Sequence, residues 1–169
     1  MSLIKISDTT ASGQAEVVIS GINSTYNVYK LVITNLSIAT DNKNITIQVT
    51  TGGTADSDSE YDIQAVTLKE EAAHSVSSGT NGSSFTIAPS MGDQAGEVLN
   101  AVIYLFNFAN SGEHSHVVFE SVHVNKTPNV RGYHGAVVHT VAEANDGLSF
   151  TGESSANLTG RFQLYGLTK

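Results

Sequence analysis

The chain has no cysteine, no tryptophan and only two prolines in its 169 residues. Without cysteine there is no disulfide, no thiolate metal centre and no cysteine nucleophile, so stability must come from packing within the chain or between copies. Charge is scarce as well: Asp, Glu, Lys and Arg together make up 14%, against about 25% in ordinary soluble proteins. Basic side chains number 8 against 16 acidic ones, for a formal net charge of −8. Phosphate binding needs a positive footprint, so this balance argues against a nucleic-acid partner. No apolar run approaches the roughly 20 residues of a membrane helix, and MSLIKISDTT carries no signal-peptide core, so a membrane partner is not expected and assembly in a cytoplasm is.

What remains is a surface of Ser, Thr, Asn and Gly around short apolar alternations. The segment NITIQVT places Ile45, Ile47 and Val49 on one face and Thr46, Gln48 and Thr50 on the other, the pattern of a half-buried strand. In VYKLVITNL and NAVIYLFNF both faces are largely apolar, which predicts central strands or strands in a subunit interface. AEVVIS, YDIQAVTL, SFTIAP, HVVFESVHV, GAVVHTVA, LSFTG and GRFQLYGL read as further strands. DTTASG, TDNKN, TTGGTADSDS, SSGTNGSS, SMGDQAG, ANSGEHS and EANDG read as turns. Strands at this spacing in a chain of this length predict a single all-β domain, an antiparallel β-sandwich or barrel. Pro89 and Pro128 fall at expected strand exits, and LKEEAAH, residues 68–74, is the one segment with helix-forming composition.

Three stretches carry a family resemblance: GINSTYNVYKLVITNLSIATDNKNITIQV, then AGEVLNAVIYLFN, then LTGRFQLYGL. In this order they resemble a β-sandwich domain of virion surface proteins from tailed bacteriophages, particularly marine and cyanobacterial ones. There a Gly-Ile-Asp/Asn-Ser-Thr-Tyr turn precedes a strand, Ala-Thr-Asp-Asn closes it, and Gly-x-Phe-x-Leu-Tyr-Gly ends the domain. Asn23 stands where Asp is commoner, and residues 52–95 match only as strands and glycine loops. The resemblance implies a jelly-roll-like sandwich over residues 13–169, with residues 1–12 an N-terminal arm or edge strand. It implies a structural protein on the virion exterior, assembled in the host cytoplasm, and not an enzyme. Its partners would be the major capsid protein or neighbouring virion proteins and further copies of itself, as a homotrimer, with no cofactor. Because no stalk precedes the sandwich, capsid decoration is the expected role; a tail- or head-fibre component binding host surface glycans is the alternative.

Two groups of residues are candidates for such contacts. Leu3, Ile4 and Ile6 are apolar and could dock on a shell or a neighbour, unless they simply form an edge strand. Tyr26, Tyr29, Tyr61 and Tyr133, among Asn and Asp, are the aromatics a glycan would stack on. Five of the 6 histidines lie between positions 114 and 139. In EHSH, His114 and His116 share one side of an extended chain and are the weak candidates for a metal clamp across a three-fold axis, against the plainer reading of a polar loop. The acidic run TADSDSEYD offers Asp56, Asp58, Glu60 and Asp62 to a hard cation, but without EF-hand features it reads as a solvated hairpin tip. Glu120, on a strand face with Val118, Val122 and Val124, needs a partner that Arg131 or Arg161 could supply, and reads as half of a structural ion pair at a subunit contact in preference to a catalytic acid. No nucleophile elbow, metalloprotease helix or kinase signature occurs.

Overall fold

The computed structural model describes residues 2–71 and 73–168. Its strands are β1 (Leu3–Gln14), β2 (Glu16–Ser20), β3 (Val28–Ile38), β4 (Lys43–Thr51), β5 (Thr54–Ala55), β6 (Tyr61–Lys69), β7 (Ser75–Gly82), β8 (Phe85–Met91), β9 (Leu99–Phe106), β10 (His114–Val124), β11 (Val130–Ala142), β12 (Gly147–Gly152) and β13 (Leu158–Leu167), with a 3-10 turn at Glu153–Ser155. They form two packed antiparallel sheets, an all-β sandwich. The larger has eight strands in the order β1-β13-β3-β9-β10-β11-β6-β7; the smaller has five, β2-β12-β4-β5, with β8 also on β4.

Alternation decides which side chains fill the space between the sheets. Tyr29, Leu31 and Ile33 of β3, Ile103 and Leu105 of β9, Val117 and Phe119 of β10, and Phe162 and Leu164 of β13 face inward and are buried. They meet Ile45, Ile47 and Val49 of β4, Phe85 and Ile87 of β8, and Leu148 and Phe150 of β12. Three aromatic contacts bridge the sheets: Phe150 with Phe162 at 5.0 Å between ring centroids, Tyr61 with Phe85 at 6.1 Å, and Phe85 with Phe119 at 6.4 Å. A bulge in β3 lies between Ile33 and Leu36, where Asn35 takes a positive φ of 52°. The extra residue shifts the phase, so that Leu36 and Ile38 also point inward and the apolar run of the sequence is used to its end.

The motifs of the family resemblance touch one another in space. A Cβ added at Gly166 would lie 2.3 Å from the Tyr26 ring, so the glycine of the last strand makes the seat for the tyrosine of the GINSTY turn. Tyr26 in turn packs edge-on against Tyr29, 5.7 Å away at 87°. Gly166→Ala is expected to destabilise the fold by about 1–3 kcal/mol through overpacking, and much less in a Tyr26→Ala background; denaturant titration of the double-mutant cycle measures that coupling.

Several expectations need correction. DTTASG is not a turn: it lies within β1, held by β13 from Leu3 to Gln14. SSGTNG is not a turn either, because β7 runs through it as the edge partner of β6; being exposed along most of its length, it needs no apolar alternation to form. Leu68 and Lys69 close β6, paired with Gly132 and Arg131, so strand pairing overrides their helical propensity; Glu70 and Glu71 form a bend, and Ala72 lies outside the described residues. Pro89 sits inside β8 and not beyond it, tolerated because the pairing of β8 with β4 is irregular there.

Residues 3–14 are the edge strand of the larger sheet rather than a free arm. Leu3 and Ile4 are exposed at its start, Ile6 packs on the core, and Ala11 is buried. The two ends of the chain meet here: the amide of Ser2 donates to the Thr168 hydroxyl at 2.9 Å, and the amide of Thr168 donates to the Ser2 carbonyl at 3.0 Å.

Candidate interaction face

One face of the eight-stranded sheet covers the core and the other is open. On the open face the register lines up lateral rows of side chains. Val32, Val102, Glu120, His134, Val66 and Val76 follow one another across six strands, and Lys30, Tyr104, Val118, Ala136 and Gln64 form the adjacent row. Val122, opposite Gly132, and Leu68 extend the field toward the other end of the sheet. Val76 is 75% exposed, Val130 51%, Val122 47%, Val118 44% and Leu68 43%. Single exposed apolar residues are ordinary; a contiguous set on one flat sheet marks an interaction surface. The face is grooved: Val32, Val102, Glu120 and Val122 line one depression of about 440 Å³, and Val66, Val76, Val118, His134 and Ala136 a second of about 460 Å³.

Glu120 lies exposed in this field, directly opposite His134. Within the chain neither Arg131 nor Arg161 pairs with it. Arg131 pairs with Glu71, and Arg161 holds Asp8 through two hydrogen bonds of 2.7 Å. The Arg161 guanidinium, with Lys5, keeps the Asp8 carboxyl well below the usual carboxylate range. Each arginine is paired with an acid on a strand or bend beside its own, which leaves Glu120 available to an outside group.

The tyrosines separate into one surface residue and three struts. Tyr29, Tyr61 and Tyr133 are buried and are not loop aromatics, so they are no platform for a glycan. The Tyr29 hydroxyl accepts from the Asn23 amide at 2.9 Å and donates to the Asn23 carbonyl, fixing the GINSTY turn. The Tyr61 hydroxyl accepts from the Val49 amide at 3.0 Å and donates to the Asp56 carbonyl at 2.9 Å. Burial raises the Tyr61 phenol above its ordinary value. Tyr26 opens to a cleft, polar and of about 480 Å³, shared with Ser24, Asn27, Asn107, Asn110 and Glu113.

His114 and His116 do share one side of β10 and are exposed, as their spacing requires, and the His116 Nδ1 lies 3.0 Å from the carbonyl of His114. They gather no third ligand: among the described residues, the group of three or more suited to a metal is Asp56, His139 and Glu143. That convergence was not foreseen. Asp56 and Glu60 of the acidic run turn back onto the sandwich, where His139 Nε2 stands 3.0 Å from Asp56 and 3.3 Å from Glu60. Asp62 instead accepts from the amide of Asn81. The available sequence signal was the inward phase of His139, two residues beyond Val137.

The chain matches no protein-family model and none of the curated proteins with which it was compared.

Proposed function

We propose that the chain is a structural protein of a bacteriophage virion, a capsid decoration protein that docks through the open face of its eight-stranded sheet. The observation that carries this reading is the contiguous apolar field around Val118 and Val122, which no described residue covers. The family resemblance of the GINSTY, VLNAVIYLFN and GRFQLYGL stretches supplies the setting. Burying a valine or leucine fully contributes about 1.5–3 kcal/mol, so several half-exposed ones give each copy a modest grip that repetition over a shell multiplies. The partner is the major capsid protein or a neighbouring virion protein, and the decorating unit is a homo-oligomer, a trimer by the resemblance. Glu120 and His134, side by side in the apolar field, would fix the orientation of docking.

Gold labelling of the protein on intact particles, imaged by electron microscopy, tests the location. A lattice of label over the head supports decoration. Label confined to the tail or to fibres overturns it. Val118→Asp combined with Val122→Asp is expected to lower binding to undecorated shells at least a hundredfold while leaving the fold intact. Unchanged binding would move the docking surface elsewhere.

A second reading rests on the Tyr26 cleft. An aromatic ring among three asparagines and a glutamate is the composition of a site for a sugar, as expected of a fibre tip that binds host surface glycans. Tyr26→Ala would then abolish adsorption to host cells without changing particle stability.

A further inference from the structure

Three carboxylates, Asp56, Glu60 and Glu143, gather at one end of the sandwich where β11 leaves the sheet. No lysine or arginine among the described residues forms an ion pair with any of them. The group that faces them is an imidazole. His139 is 1% exposed, packs its ring 5.1 Å from that of Tyr61, and turns Nε2 toward the carboxylates while its Nδ1 has no partner. A buried ring positioned by packing, with its only polar contacts toward acids, is an observation separate from the acidity itself.

We propose that Asp56, His139 and Glu143, with Glu60 beside them, form a binding site for a divalent first-row transition metal, zinc foremost. One ligand atom from each of Asp56, His139 and Glu143 falls within 4.8 Å of the others. Ligand atoms around a tetrahedral zinc, with bonds of roughly 2.0–2.1 Å, stand about 3.3 Å apart. The separations from His139 Nε2 to Asp56 and Glu60, 3.0 and 3.3 Å, already lie near that spacing. Glu143 supplies the third ligand of the set. Its Oε1 accepts from the Thr51 hydroxyl and the Asn145 amide, each at 2.8 Å, and Asp56 accepts from the Asp58 amide through its other oxygen. Such contacts orient ligands before metal arrives. The imidazole selects against calcium and magnesium, which take oxygen ligands, and in favour of zinc and its neighbours. The ion would tie the 51–60 loop to β11 and join the two sheets at this end, a role that a chain without cysteine cannot give to a disulfide.

Isothermal titration of the chelator-treated protein with zinc chloride tests this directly. One zinc per chain is expected, with the melting temperature raised by about 5–10 °C at a hundredfold excess over Kd. Glu143→Gln should weaken zinc at least tenfold and remove most of the thermal shift, whereas His114→Ala with His116→Ala should leave both unchanged. On the unmodified protein, zinc should displace the NMR signals of the His139 ring and not those of His114 and His116, a readout that holds even if the Glu143 variant folds poorly. Absence of saturable binding, or zinc whose effects centre on the exposed histidine pair, overturns the proposal.

Discussion

Phe162→Ala lowers the free energy of unfolding by about 4 kcal/mol, the middle of the range for a fully buried phenylalanine, and the melting temperature by about 8–16 °C. Phe162 is buried completely and its ring meets Phe150 across the gap between the sheets. Truncation therefore removes apolar burial from both layers at once and leaves a hole that neither sheet can close, because each is fixed by its own ladders: β13 by β1 and β3, β12 by β2 and β4. Phe150→Ala should cost a similar amount. The double variant should cost less than the sum, by about 0.5–1.5 kcal/mol, the increment of an aromatic pair beyond its area. Chemical denaturation of the four proteins gives the comparison; strict additivity would mean that the rings do not couple the sheets.

The second large effect depends on pH. His123 is buried, donates Nε2–H to the carbonyl of Pro89 at 3.0 Å, and leaves Nδ1 without a partner. Burial, with a smaller contribution from the charge of Arg131, pushes its pKa down to about 4 from 6.5. Between these values the unfolded chain takes up a proton that the folded chain refuses. Stability is therefore full above pH 6.5 and falls as pH drops toward 4, by roughly 3 kcal/mol in all. Glu60 works in the opposite sense, since its raised pKa favours the folded state on acidification. Asp8 contributes below this window, where its lowered pKa keeps the folded state charged. Urea midpoints measured from pH 7.5 to 4.5 should decline in the parent protein. They should flatten in His123→Gln, whatever its stability at neutral pH.

Much of the sandwich was legible because alternation is a local signal. Ile45, Ile47 and Val49 could be assigned to one face from NITIQVT alone, and the doubly apolar character of β3 and β9 already separated a core face from a second apolar face. What escaped were features set by partners distant in sequence. β7 has no alternation because an edge strand is made by its neighbour's hydrogen bonds, and the DTTASG half of β1 looked like a turn for the same reason. The tyrosines show a signal available but misapplied: Tyr29 shares its phase with Leu31 and Ile33, which already placed it inward. The charged constellations were the least legible. That Asp56 meets His139 across 83 residues, and that Arg161 prefers Asp8 to Glu120, follows from which strands adjoin, and no spacing in the chain encodes it.

The meeting of Ser2 and Thr168 on the β1–β13 edge has a topological consequence. Entry and exit share one point, so the sandwich can be set into a loop of another protein as a closed appendage, without stretching its host. By the same geometry a linker of a few residues would close the chain into a ring at little entropic cost. New ends could then be opened at the exposed Gly52–Gly53 tip between β4 and β5. Such a permuted chain would present its ends at the small sheet, leaving the open apolar face unencumbered.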